Sequence, residues 1–189
     1  AWLVQLGHDR NVPIVFPDGL SDLADLPINT GSFLGFYQLF GPGKIELAGD
    51  RLAGVEAVLP LMEKRGGGAI TMISTTAAVE TFMVPQAYNA MKAALITYAK
   101  QLSQEHGPKG VRVNTVSPGP IYFDGGAWDM IKVSNDKFYE KTERTHALGR
   151  LGTPEEVANC IVFLSSPAAS WVTGVNLVVD GGYTKRVQF

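Results

Sequence analysis

One cysteine, Cys160, is present among 189 residues. A lone thiol excludes an intrachain disulfide and a cysteine metal cluster, and it makes a reduced, cytoplasmic setting the expectation. No apolar run reaches the roughly eighteen residues that mark a membrane-spanning helix. Charge of one sign is scarce too, since 16 Lys and Arg stand against 18 Asp and Glu for a formal net charge of −2. Without a basic excess or a long Lys/Arg run, the chain lacks the electrostatic footprint of a nucleic-acid or acidic-membrane binder. Small molecules and further copies of the chain are the expected partners. The three histidines, His8, His106 and His146, show no metal-ligand spacing, and surface or capping roles are expected of them. The apolar start at Trp2, Leu3 and Val4 carries no basic leader or small-residue cleavage pattern, so no export signal is expected. Repeats and low-complexity segments are also absent.

The length suits one domain with a sizeable core. Residues 1–50 are atypical: turn formers and an aromatic cluster (Phe33, Phe36, Tyr37, Phe40) give no firm periodicity, and the cluster reads as packing surface. From Asp50 the pattern sharpens. Leu52, Val55, Leu59 and Met62 recur at helical intervals and Gly66, Gly67 and Gly68 end the run. Ile70, Thr71, Met72 and Ile73 read as a buried strand with Ser74, Thr75 and Thr76 at its end. A second helix carries Ala87, Ala90, Met91, Ala94, Leu95, Tyr98 and Leu102 as one apolar stripe. A strand at Val111 to Val116 is broken by Ser117, Pro118, Gly119 and Pro120. A long mixed excursion follows, with short helices near Trp128 and Lys137, in the form of a substrate lid. Thr153, Pro154 and Glu156 predict a capping box and an N1 proline. Val175 to Val179 predicts a last strand, with Asp180 capping the turn behind it. This alternation predicts a parallel sheet with helical crossovers.

Within that frame, Tyr88 and Lys92 stand four residues apart on one helix face. A phenol ordinarily ionises near pH 10, so proton exchange near neutrality requires a positive charge that stabilises the phenolate. Lys92 is placed to supply it. Ligands in open parallel sheets bind beyond the carboxyl ends of the strands, where Ser74 and Thr75 present hydroxyls.

The order of these landmarks resembles the short-chain dehydrogenase/reductase family from about Val55 onward. It is carried by the Gly-rich approach to the first strand and its hydroxyls, by Tyr88 to Lys92, and by Val111, Arg112, Val113 and Asn114 running into Pro118 and Gly119. Gly149, Arg150 and Leu151 before Thr153, Pro154, Glu155 and Glu156 come next, then Thr173, Gly174, Val179, Asp180, Gly181 and Gly182. The resemblance implies a Rossmann-like α/β fold, a parallel sheet with helices on both faces, altered or incomplete in its N-terminal strands. It also implies hydride transfer between NAD or NADP and an alcohol or carbonyl carbon. Tyr88 would be the general acid or base, and Lys92 would depress its pKa and bind the nicotinamide ribose. The family's substrate-polarising serine falls on Thr75, with Ser74 adjacent as second choice. Tyr88, Lys92, Pro118, Gly119 and Ile121 would contact the cofactor, while Phe123 replaces a threonine usual in that loop. Asn114 resembles a structural asparagine. A homodimer or homotetramer is implied, because in the family the tyrosine-bearing helix packs on its mate.

The chain departs from the family upstream. Thr-Gly-x-x-x-Gly-x-Gly, which seats the cofactor pyrophosphate, occurs nowhere in these residues. Residues 25–31 look like a degraded Asn-Asn-Ala-Gly segment, Asp18 like a remnant adenine contact, and no asparagine stands near Leu47 or Ala48 where the proton relay needs one. Two readings follow: an NAD(P)-dependent oxidoreductase with an intact proton-handling half, or a non-catalytic relative that keeps the fold and oligomer interface without cofactor binding. A natural N-terminus that differs from Ala1 is a further alternative. Tyr122, Phe123, Trp128, Met130, Phe138 and Tyr139 suggest a largely apolar substrate pocket.

Overall fold

In the computed structural model, the residues described are 55–187, apart from 57 and 82–86. The expectations for the first fifty residues, including Asp18, residues 25–31 and the aromatic cluster, lie outside them. Three strands, β1 (Gly68–Ile73), β2 (Val111–Pro118) and β3 (Asn176–Val179), pair in parallel in the order β1-β2-β3. Ile73 is opposite Val116 and Pro118 opposite Val179, so the strands finish along one edge.

Alternation along the strands sets which helix covers which face. Ile70, Met72, Val111 and Val113 point to one side. There they pack with Ala99 and Leu102 of helix α1 (Ala87–His106) and with Val55, Leu59 and Met62 of the helical segment that ends at residue 64. Val116 points to the other side and packs with Val157, Ile161 and Leu164 of a later helix, Pro154–Ser165. Arg112, on that same face, donates to the carbonyls of Leu164 (2.7 Å), Ser166 (3.0 Å) and Val172 (3.2 Å). A cation therefore caps the carboxyl end of that helix, where unpaired carbonyls and the helix dipole favour positive charge.

The excursion after β2 forms two short helices, α2 (Ala127–Ser134) and α3 (Asp136–Thr145), and leads into the helix at Pro154–Ser165, now α4. The capping box expected at Thr153 and Glu156 is present, and Arg150 completes it through a 2.6 Å bond to the Glu156 carboxylate. Asn114 is fully buried and bridges the approach to β3, donating to the Val172 carbonyl and accepting from the Val175 amide. That matches the structural role expected of it.

The stripe predicted on α1 is only partly right. Ala87, Ala90 and Ala94 are exposed, whereas Ala99, Leu102, Ser103 and His106 are buried. Alanine favours helix whether or not it is covered, so alanine spacing says little about burial.

Candidate active site

The three strand ends bring the predicted groups together. The Ser74 amide donates to the Val116 carbonyl at 2.8 Å, which sets the residues following β1 beside those following β2. At the end of β2, the Gly119 amide donates to the Val179 carbonyl at 3.0 Å, which fixes the turn against β3. Thr75, extended, caps the helical turn Thr76–Ala78 by accepting from the Ala77 amide.

Tyr88 enters this edge from the first turn of α1. Burial pushes its phenol above the ordinary tyrosine value, and a side-chain hydrogen bond with Thr75 pulls it the other way without cancelling the rise. Lys92, one turn on, holds its ammonium 5.9 Å from the Tyr88 ring centroid and donates to the Ile73 carbonyl at 2.7 Å. Burial is the largest influence on the Tyr88 phenol and Thr75 opposes it, while Lys92 sets its positive charge beside the same ring.

The two candidate hydroxyls separate cleanly. Ser74 is buried and donates to the Lys92 backbone carbonyl at 2.8 Å. Its hydroxyl thereby satisfies a backbone group. Thr75 is the hydroxyl that meets the phenol.

Gly119 and Ile121 both have packing reasons for their identity. A Cβ at Gly119 would lie 2.7 Å from Cβ and 2.9 Å from Cα of Asp180, so the close backbone approach made there is to the end of β3. Ile121 forms a parallel bridge with Gly152 and packs beside the Val116 cluster. Pro118 is the last residue of β2. Pro118 and Gly119 thus lie at the same end of the sheet as Ile73 and the Thr75 that follows it, with Ile121 two residues further on.

Asp180 caps the turn as predicted. Its carboxylate accepts from the Gly182 amide at 3.0 Å, the Thr184 amide at 2.8 Å and the Thr184 hydroxyl at 2.7 Å. Burial raises its pKa, but the bonds from Thr184 and Gly182 outweigh that and hold it below the usual carboxylate range.

The aromatic residues expected to line a pocket mostly close on one another. Trp128 stacks on Phe138 at 5.8 Å, Tyr139 sits edge-on to both Trp128 and Tyr122, and Lys132 lies over the Tyr122 and Tyr139 rings. They form the small core that joins α2 to α3, leaving Phe123 and Met130 as exposed apolar groups of that set. Tyr122 also donates to Asp129, which raises its phenol to about 12.

Of the surface or capping roles expected of the histidines, a surface position falls to neither His106 nor His146, since both are buried. His106 pairs with Glu63, which also binds Lys109. His146 ends α3, donates through Nδ1 to the Thr142 carbonyl at 2.7 Å and stacks on Tyr183 at 4.7 Å. Capping, the other role expected of it, is what it performs. Among the described residues no group of three or more His, Cys, Asp or Glu could hold a metal ion, and no helix is long and apolar enough to cross a membrane.

A phenol, a hydroxyl and an ammonium at the carboxyl edge of a parallel sheet, three-stranded among the described residues, set the context for comparison with known proteins. A family model described as enoyl-(acyl carrier protein) reductase matches residues 51–184. The chain belongs to the short-chain dehydrogenase/reductase family. Isoepoxydon dehydrogenase patN of Penicillium expansum is 42% identical over 136 residues, which are 71% of this chain and 52% of that protein. A solved short-chain type dehydrogenase/reductase from Mycobacterium ulcerans superposes with a TM-score of 0.65 at 34% identity, covering 71% of this chain and 48% of the other. A 4-hydroxyisoleucine dehydrogenase complexed with NADH superposes with a TM-score of 0.60 at 31% identity, covering 71% of this chain and 57% of the other. The chain therefore spans about half the length of the relatives it matches, and residues 1–50 precede the matched region.

Proposed function

We propose that this chain carries the proton-handling half of an NAD(P)-dependent oxidoreductase acting on a small alcohol or carbonyl compound. The observation that carries the proposal is the meeting of the half-buried Tyr88 phenol with the Thr75 hydroxyl and with the Lys92 ammonium, 5.9 Å from its ring centroid, at the end of β1. The donor set suits the reacting end of a nicotinamide nucleotide. Lys92 and Tyr88 would hold its ribose, and the backbone at Pro118, Gly119 and Ile121 would lie along its ring. Bound there, the nucleotide supplies or accepts the hydride. NADH in the related dehydrogenase supports a nicotinamide cofactor and leaves the choice between NAD and NADP to measurement.

In carbonyl reduction, Thr75 orients and polarises the substrate oxygen by donating its hydroxyl hydrogen. Tyr88 then delivers the phenolic proton to that same oxygen. A phenol raised by burial keeps its proton at neutral pH, which favours the acid role. In alcohol oxidation the same oxygen of Tyr88 takes the proton back, and that direction gains from alkaline conditions. Lys92 keeps positive charge beside the phenol and steadies it when the proton leaves.

Titration with NADH and NADPH under reduced-nicotinamide fluorescence tests the reading directly. Saturable binding is expected, with Tyr88→Phe abolishing carbonyl reduction while cofactor affinity weakens only by about the one hydrogen bond lost to the ribose. Absence of binding at millimolar nucleotide would remove the enzymatic reading of this chain. The second reading, a non-catalytic relative that keeps the fold and oligomer interface, is favoured by one feature: the pyrophosphate-binding glycine fingerprint is missing from the sequence. Under either reading we propose a cytoplasmic homodimer or homotetramer, and a monomer in sedimentation equilibrium would contradict that assembly.

A further inference from the structure

Beyond β3 the chain doubles back across two elements far from it in sequence. The Tyr183 ring packs on the buried His146 at the end of α3. The Lys185 ammonium donates to the Thr145 and Gly182 carbonyls, both at 2.9 Å, and the Lys185 amide donates to the Glu80 carboxylate at 3.1 Å. Arg186 donates to the Val79 carbonyl at 2.8 Å. Val79 and Glu80 belong to the turn that begins at Thr75: the Ala78 amide donates to the Thr75 carbonyl, and the Val79 and Glu80 amides donate to that of Thr76. One short segment thus holds the far end of the Thr75 turn and the end of α3 at once.

We propose that residues 183–186 form a positioning strap, in which Lys185 and Arg186 fix the turn carrying Thr75 against α3 and so set the Thr75 hydroxyl on the Tyr88 phenol. The proposal rests on the reductase reading of that pair and adds to it two residues that act through the turn. Backbone carbonyls and one carboxylate receive the strap's donors, so its hold depends on where donors stand rather than on apolar contact. A turn released by even an ångström would misplace the hydroxyl, and misplacement on that scale costs up to about a hundredfold in rate. The charged and titratable groups that face the strap are Glu80 from the turn and His146 from α3, with Asp180 at its root.

The test compares the full chain with Glu80→Ala/Arg186→Ala, which removes the acceptor of the Lys185 amide and the donor to the Val79 carbonyl, and with Arg186→Lys. It reads kcat and KM for a ketone substrate, and the phenol titration of Tyr88 by carbon NMR of labelled tyrosine, with the Tyr88 signal identified by its loss in Tyr88→Phe. In the double variant kcat falls roughly tenfold with KM nearly unchanged. Because the Thr75 bond lowers the Tyr88 pKa, the Tyr88 midpoint moves upward when that bond loosens. Arg186→Lys, which keeps a donor near the Val79 carbonyl, stays close to the parent in both. An unchanged Tyr88 midpoint in the folded double variant overturns the strap, whatever the turnover. A midpoint that rises in a chain with no measurable reductase activity supports the strap while sinking the reductase reading, so the two failures are distinct.

Discussion

Thr75→Val and Ser74→Ala form a pair that separates chemistry from architecture at adjacent positions. Each substitution removes one hydroxyl. Ser74 is buried and donates to the Lys92 carbonyl at 2.8 Å, so its loss removes one ordinary intramolecular hydrogen bond, about 1 kcal/mol of stability. Thr75 caps the Thr76–Ala78 turn by accepting from the Ala77 amide, and losing a cap of that kind also costs about 1 kcal/mol. Denaturant midpoints should therefore shift by comparable amounts in the two variants. Turnover should not. Thr75→Val takes away the group that meets the Tyr88 phenol, and loss of one donor to a developing oxyanion typically costs about a hundredfold or more in kcat. Ser74→Ala should stay within severalfold of the parent, and Thr75→Ser should keep most of the activity because it retains the hydroxyl. Steady-state reduction of a ketone panel with urea unfolding on the same preparations gives both quantities. A fall in kcat for Ser74→Ala as large as for Thr75→Val, at equal stability, would refute the assignment of Thr75 as the polarising hydroxyl.

Three further expectations concern the frame around the site. Arg112→Met removes a guanidinium that serves two carbonyls at the end of α4 and that of Val172 on the approach to β3 and should cost about 3 kcal/mol in urea unfolding, with Arg112→Lys recovering part of it. Gly119→Ala drives a Cβ to 2.7 Å from the Asp180 Cβ; overpacking of that kind should destabilise by about 1–3 kcal/mol, measured by thermal unfolding. Glu156 has its carboxyl lowered to about 2, first by Arg150 and then by the Thr153 amide. A depressed folded value stabilises the protein above the ordinary glutamate range and is lost as pH falls from there toward about 2. The side chain is 43% exposed, so solvent screening leaves about 1 kcal/mol, and Glu156→Gln should flatten that part of the acid-unfolding curve.

The central part of the fold was legible because its signals are local. Valines at 111, 113 and 116 before the break at Ser117, Pro118 and Gly119 gave β2, the Thr153 and Glu156 spacing gave the start of α4, and Asp180 before two glycines gave the turn after β3. The pairing of Tyr88 with Lys92 by helical spacing likewise needed no tertiary information. What escaped depended on partners distant in sequence. His106 is buried because Glu63 answers it, and the Tyr183 ring covers His146 from beyond β3. The strap joins Lys185 to Glu80 and Arg186 to Val79, pairs no periodicity can announce. The aromatic residues between 122 and 139 look alike in sequence whatever they touch, and their contacts with one another and with Lys132 depend on the way α2 meets α3.

Lys92 illustrates how one residue serves both levels. Its ammonium donates to the Ile73 carbonyl while its own carbonyl accepts from the Ser74 hydroxyl, so side chain and backbone of one helical residue clasp the last residue of β1 and the one after it. That clasp fixes the rotation of α1 about its axis relative to the strand end. Tyr88 lies one helical turn earlier on the same face, and Thr75 lies one residue beyond Ser74. Registering Lys92 therefore registers the phenol against the hydroxyl, and the geometry of the proton donor follows from a contact made by its neighbour. Removing the Lys92 side chain consequently changes two things together, the charge beside the phenol and the seating of the helix that carries it. For that reason loss of activity at this position alone does not measure an electrostatic effect on Tyr88, whereas the Thr75 substitution leaves the clasp in place and removes the bond to the phenol together with the cap on the Ala77 amide, whose cost the unfolding measurement reads separately.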